Sequence, residues 1–312
     1  MYFVGVDIGG TGVQAGVVDE FGKILFRKEC VTNVESGFES VMDDINNLVR
    51  ALLKENNLNI EEIQSIGFGV PSFINKKGLV TCVNLGWYEV NFIEALENRF
   101  PEVKVYAEND ATVAAVGEAK FGSMKDKDTA VMYTLGTGVG GGIVINGKAF
   151  TGAHGMGSEI GHTIIGENYF NCNCGNNGCL ESFCSATAII KYAQKLIQEG
   201  RKSIILDMAE GKIENVNAKM VFDAFRENDE VALETINRFK SYLSKAMAGM
   251  INTLDPDVIS IGGGVSRASD IILDGIEDLI REQILYKKEE FADIVCATLG
   301  ADAGIIGAAF LN

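Results

Sequence analysis

The stretch Asp7-Ile8-Gly9-Gly10-Thr11 sets a carboxylate, two glycines and a hydroxyl at the end of an apolar run. Gly-Gly between strands is an ordinary hairpin turn. The same residues can also cradle a phosphate: the glycines let backbone N–H groups face the anion, Thr11 adds a hydroxyl, and Asp7 can hold hydrated Mg2+. It is not a Walker A loop, because no Gly-Lys-Ser/Thr triplet closes it. Residues 135–142 carry five glycines in eight positions and one threonine. A glycine inside a regular element costs about 0.5–1 kcal/mol, so turn geometry alone does not account for that density. Gly136-Thr137-Gly138 is therefore assigned to phosphate binding. Gly262-Gly263-Gly264 follows another apolar run; it is either a tight strand-to-helix turn or a close approach to a nucleotide's sugar or base.

Asn109-Asp110 precedes an alanine-rich helical stretch, where capping is the ordinary use of such a pair. Phosphoryl transfer, however, needs a carboxylate to accept the proton of the attacking hydroxyl, and a side chain fixed at a helix start would serve. One of the two histidines, His162, stands in Glu159-Ile160-Gly161-His162 and is followed by Cys172, Cys174 and Cys179. One His and three Cys make a complete tetrahedral zinc set, and in a reducing compartment this spacing suits metal better than disulfides. With every position filled by protein, the site is structural. The metal would fix Glu159, three residues before His162, and Glu181, two residues after Cys179. Both carboxylates thereby become acceptors for sugar hydroxyls. His162 could give one ring nitrogen to zinc and the other to a sugar oxygen.

The elements that must position these groups are legible from the pattern. Strands are expected at 2–6, 13–18, 23–30, 63–70, 103–107, 130–134, 143–145, 148–150 and 258–261. Helices are expected at 41–54, 111–121, 186–199, 218–227 and 231–254. Laying Thr11-Gly12-Val13 on Thr137-Gly138-Val139 aligns two strand–glycine turn–strand openings, a weak internal repeat that suggests two related α/β lobes facing one cleft. The lobes are drawn as residues 1–115, joined by a returning C-terminal helix at 298–312, and residues 116–297 with the zinc knot. At 312 residues, with 47% hydrophobic and 22% charged composition, the chain suits two cores. The net charge of −16 argues against a nucleic-acid or anionic-membrane surface. The apolar start is too short and too interrupted for a signal peptide or a membrane span, so a cytoplasmic location is expected.

Taken together, these motifs resemble the ROK family of bacterial sugar kinases and repressors. Asn84-Leu85-Gly86-Trp87, Glu108-Asn109-Asp110, Cys179-Leu180-Glu181 and the ending Asp302-Ala303-Gly304-Ile305-Ile306-Gly307-Ala308-Ala309 extend the likeness over the whole chain. The resemblance implies a two-lobed actin-like, ribonuclease-H-like ATPase fold with ATP and sugar in the inter-lobe cleft. It implies Asp110 as general base, with Asn109, Glu159, His162 and Glu181 holding the sugar. ATP and Mg2+ would then fall to Asp7, Gly9, Gly10, Thr11, Gly136, Thr137, Gly138, Gly263 and Gly264, and structural Zn2+ to His162, Cys172, Cys174 and Cys179. The motif spelling is most similar to the glucose-phosphorylating branch. The alternatives are kinases of N-acetylmannosamine, N-acetylglucosamine, mannose or fructose, and a sugar-responsive regulator, against which the missing winged helix-turn-helix speaks. An ATPase whose output is motion is a third reading, disfavoured by the zinc knot. A homo-oligomer, dimer or larger, is also implied. Two positions depart from the family pattern: Gly12, often Lys or Asn, and Ser72, often Gly.

Overall fold

The computed structural model describes residues 1–311; Asn312, the last residue of the expected return segment, lies outside them. The chain divides into two compact units. The first comprises Met1–Val131, Gly142–Ser158 and Ala297–Asn312, and the second Met132–Gly141 and Glu159–Cys296. Among the described residues no helix is long and apolar enough to cross a membrane.

The first unit opens with three strands, β1 (Tyr2–Ile8), β2 (Gly12–Asp19) and β3 (Ile24–Val31), paired antiparallel in sequence order. Helix α1 (Phe38–Glu55) follows, burying Val41, Ile45, Leu48, Val49 and Leu52 from one face. That stripe is the helical period read from the sequence. Strand β4 (Ile63–Val70) then pairs parallel with β1, and β7 (Lys104–Asn109) parallel with β4. Between them lie a hairpin of β5 (Leu79–Cys82) and β6 (Trp87–Asn91) and helix α2 (Phe92–Arg99), none of which the periodicity predicts. Helix α3 (Asp110–Phe121) leaves the end of β7 directly.

The C-terminal helix, Ala303–Ala309, falls in the first unit and touches its sheet at backbone level. A Cβ on Gly5 of β1 would lie 1.8 Å from the Ile305 carbonyl oxygen, and one on Gly67 of β4 1.7 Å from that of Ala308. Helix α3 meets the same helix, with a Cβ on Gly307 falling 1.8 Å from the Val113 carbonyl oxygen and one on Gly117 2.8 Å from that of Ala303. That packing runs the length of α3, so the boundary between units falls after the helix and not near residue 115.

The second sheet has order β10-β9-β8-β11-β12, formed by β8 (Thr129–Leu135), β9 (Val139–Ile145), β10 (Lys148–Ala149), β11 (Val258–Gly262) and β12 (Asp293–Cys296). Its order repeats the β3-β2-β1-β4-β7 order of the first. The strand–glycine turn–strand repeat read from the sequence is thus a repeat of sheet topology. Strands β8 and β9 each give residues to both units. The helices of the second unit include α4 (Glu181–Cys184), α5 (Ala186–Gln198), α6 (Ile204–Met208), α7 (Ala218–Arg226) and α8 (Glu230–Leu254). Helix α8 buries Val231, Ile236, Phe239, Leu243 and Met247 and packs against α5 and α7.

Candidate active site

In the first unit, the turn between β1 and β2 is closed by a Gly9 N–H donated to the Gly12 carbonyl at 2.9 Å. Thr32 fastens it from outside, its hydroxyl donating to the Gly9 carbonyl at 2.8 Å and its N–H to that of Thr11 at 3.2 Å. Asp7 stands at the end of β1, in register with Gly69 of β4, which is in register with Glu108 of β7. A Cβ on Gly69 would lie 3.7 Å from both an Asp7 carboxylate oxygen and the Asp110 Cα. The glycine therefore leaves a gap flanked by the two acids. Burial raises the pKa of Asp7, with no hydrogen bond opposing it. A half-buried carboxylate of that kind, at the end of a strand beside a glycine turn, fits a hydrated Mg2+.

Asn109 caps α3, its side-chain oxygen accepting the N–H groups of Ala111 at 3.0 Å and Thr112 at 3.1 Å. Its amide nitrogen donates to the Ser72 carbonyl at 3.4 Å. The capping and substrate readings of this residue are thus compatible only through the amide, since the oxygen is committed. Asp110 is the first residue of the helix, and one of its carboxylate oxygens accepts the Ala111 N–H at 2.7 Å. Burial raises the Glu108 carboxyl above its ordinary range, partly offset by the Asn109 N–H. Ser72, the departure noted in the sequence, donates its hydroxyl to the Thr81 carbonyl at 2.6 Å and so ties the loop after β4 to β5.

The second unit gathers the other motifs. The ligand atoms of His162, Cys172, Cys174 and Cys179 all lie within 4.8 Å of one another. Cys172 Sγ is 3.7 Å from His162 Nδ1, and Cys174 Sγ 3.6 Å from Cys179 Sγ. Tetrahedral zinc with Zn–S of about 2.3 Å puts its sulfur ligands roughly 3.8 Å apart, so the set fits a closed zinc site. Cys172 and Cys179 are buried while His162 and Cys174 are exposed. The Asn176 backbone N–H holds the Cys174 thiol below its ordinary range, while burial pushes Cys172 up to about 12 and raises Cys179. With Nδ1 on the cluster, Nε2 of His162 is left for another partner.

Three motifs converge on Val139. Its N–H donates to Glu181 at 3.0 Å. A Cβ on Gly161 would lie 1.9 Å from its carbonyl oxygen, which is why the Glu159–His162 segment needs glycine there. A Cβ on Gly138 would lie 2.4 Å from the same Glu181 oxygen. The other Glu181 oxygen is 3.3 Å from Cys172 Sγ. Glu181 thus stands between the His162–Cys172–Cys174–Cys179 group and the glycine turn, while Glu159 is exposed. Gly263, with φ of +82°, lies against β8: its Cβ would fall 2.4 Å from the Leu135 carbonyl oxygen. Strand β11 runs directly into a 3-10 turn there, with Gly263 beside the start of the glycine turn. Thr32 and Thr187 also act on the glycine turns, yet neither stands out in the sequence; a lone threonine gives no signal until its partner carbonyl is known.

The ROK family model matches residues 3–312. A glucokinase of Thermotoga maritima is 36% identical over 309 residues, covering 98% of this chain and 95% of that protein. A glucokinase of Halalkalibacterium halodurans is 36% identical over 99% of this chain and 94% of its own length. Among solved structures, a ROK family glucokinase from Streptomyces griseus in complex with glucose and AMPPNP superposes with a TM-score of 0.82. It shares 31% identity and covers 100% of this chain and 99% of that one.

Proposed function

The chain belongs to the ROK family, and from that premise we propose that it is a glucokinase, transferring the γ-phosphoryl group of ATP to the 6-hydroxyl of glucose. It is an ATP-dependent sugar kinase with the two-lobed actin-like ATPase fold. The observation that carries the substrate is the joint one: relatives named glucokinase at 36% identity, and in this chain a four-ligand set of His162, Cys172, Cys174 and Cys179 with Glu181 against Cys172.

Asp110 accepts the proton of the sugar hydroxyl as the phosphoryl group leaves ATP. Asn109, through its amide, and Glu159, His162 and Glu181 hold the remaining hydroxyls. The turns at Gly9–Thr11 and Gly136–Gly138 present backbone N–H groups to phosphate oxygens, where they offset charge that an acidic protein cannot neutralise with a basic patch. Asp7 would hold Mg2+, which would supply further charge compensation. His162, Cys172, Cys174 and Cys179 would hold Zn2+, which would lend rigidity to the segments bearing Glu159 and Glu181. We place the enzyme in the cytoplasm, where ATP and reduced thiols are available, and as a dimer or larger assembly.

The test is ADP release across a panel of glucose, mannose, fructose, N-acetylglucosamine and N-acetylmannosamine, compared as kcat/KM. Glucose is expected to lead. A hexosamine ahead of glucose by tenfold or more would move the assignment to another branch; no sugar-stimulated ADP release at all would end it.

A further inference from the structure

The glycine turn of the second unit is fastened from one side. The Ala186 N–H donates to the Gly136 carbonyl at 2.8 Å, and the Thr187 hydroxyl donates to the Thr137 carbonyl at 2.8 Å. Both donors come from the first turn of α5, which follows closely on the Cys179–Glu181 segment. In a trans peptide, the carbonyl of one residue and the N–H of the next point in opposite directions. The peptide bonds of the described residues are trans. Fixing the Gly136 and Thr137 carbonyls on α5 therefore turns the N–H groups of Thr137 and Gly138 to the opposite side. Neither N–H donates to a partner among the described residues, and Thr137 is exposed.

The first unit has a related, shifted device: the Thr11 carbonyl, which aligns with that of Thr137, accepts the Thr32 N–H at 3.2 Å. The Thr32 hydroxyl donates to the Gly9 carbonyl at 2.8 Å, which turns the Gly10 N–H the other way. Thr32 and Thr187 lie on unrelated elements, a loop after β3 and a helix start. Two glycine turns in topologically equivalent positions each have a carbonyl held by a threonine hydroxyl.

We propose that Thr187, with Thr32 as its counterpart, is a positioning residue for nucleotide binding: its hydroxyl keeps the Thr137 carbonyl away from the phosphate side so that the Gly138 N–H faces the nucleotide. Without that bond the peptide can rotate. A carbonyl oxygen would then face a phosphate oxygen where an N–H stood, replacing an attraction with a repulsion. Thr187 is not among the residues assigned to the sugar. The inference rests on reading the turn as a phosphate site.

The experiment measures AMPPNP and glucose binding separately by calorimetry on the full chain, with Mg2+ present, for Thr187→Val, Thr187→Ala and Thr187→Ser, alongside melting temperature. Thr187→Val is nearly isosteric and lacks only the donor. It is expected to weaken AMPPNP binding by about three- to tenfold, the effect of one neutral hydrogen bond, with glucose affinity and melting unchanged. Thr187→Ser is expected to restore the affinity. In turnover the loss should appear in KM for ATP and leave KM for glucose alone. Unchanged AMPPNP affinity in folded Thr187→Val, or equal loss of glucose and nucleotide binding, would overturn the proposal, as would failure of the serine variant to recover. Thr187→Ala removes the same donor and decides the matter should the valine variant not fold. A wild-type protein that binds AMPPNP but phosphorylates no sugar would sink the kinase reading and leave this one testable by binding alone.

Discussion

The Glu181 carboxylate accepts the Val139 N–H at 3.0 Å, and a Cβ on the neighbouring Gly138 would fall 2.4 Å from the same oxygen. The glycine turn and the segment leaving the metal cluster are thus in contact through one oxygen atom. Gly138 is small because a carboxylate occupies the place of its side chain. In the Gly138→Ala variant that carboxylate must move, and displacement of a substrate-holding group by about 1 Å costs on the order of 100-fold in rate. Steady-state kcat/KM for glucose should fall by about that factor while the protein stays folded by circular dichroism; wild-type kinetics would show that Glu181 has another place to go.

Asp110→Asn keeps the start of α3, since the cap is made by Asn109, and removes the proton acceptor. A drop in kcat of about 10²- to 10⁴-fold is expected, the usual contribution of a general base. Glucose binding measured by calorimetry should stay near the wild-type value. Near-normal turnover in this variant would remove Asp110 from its role.

Protein prepared without chelator should contain about one equivalent of zinc per chain, as four protein ligands bind tightly. Elemental analysis showing less than about half an equivalent would count against the assignment. Cys172→Ser and Cys179→Ser replace buried ligands, and each should release the metal and lower the melting temperature. Their glucose affinity should fall as well, because Glu159 and Glu181 lose their anchor.

The sign of one pH dependence follows from Glu108. Burial raises its folded pKa above the ordinary value of 4.5. A raised pKa means the folded state binds the proton more tightly than the unfolded one. The stability it contributes is present below about the unfolded value and is lost as pH rises through the folded one. At neutral pH the ionised group therefore costs stability. Glu108→Gln keeps an oxygen to accept the Asn109 N–H and carries no charge. Its melting temperature should exceed that of the wild type at pH 7, and the gap should close as pH falls below about 4.5. A gap that is constant with pH, or of opposite sign, would show that ionised Glu108 is stabilised by something other than the Asn109 amide.

Much of this molecule is legible in its residues alone. The apolar stripe of α1, the glycine turns after β1 and β8, and the Cys-x-Cys-x4-Cys spacing are all local signals, each set by a short-range rule of helix period, backbone freedom or ligand geometry. The hairpin of β5 and β6 escapes such rules because its strands are only four and five residues long and β6 buries Trp87 alone. A boundary near residue 115 would cut α3, whose contacts with the C-terminal helix keep all of it in the first unit. Its partner helix lies almost two hundred residues away at the other end of the chain.

Residue types and their spacing thus determined the chemistry available: a carboxylate at a helix start, glycine turns able to face an anion, and a four-ligand metal set. Only the tertiary structure decided how those groups are oriented. Which carbonyls Thr32 and Thr187 occupy, and that Glu181 meets Val139, are contacts whose partners are far apart or differently folded. No local pattern encodes them, because a hydrogen bond is specified by the position of both partners, and the second partner is placed by the packing of the whole sheet and helix framework.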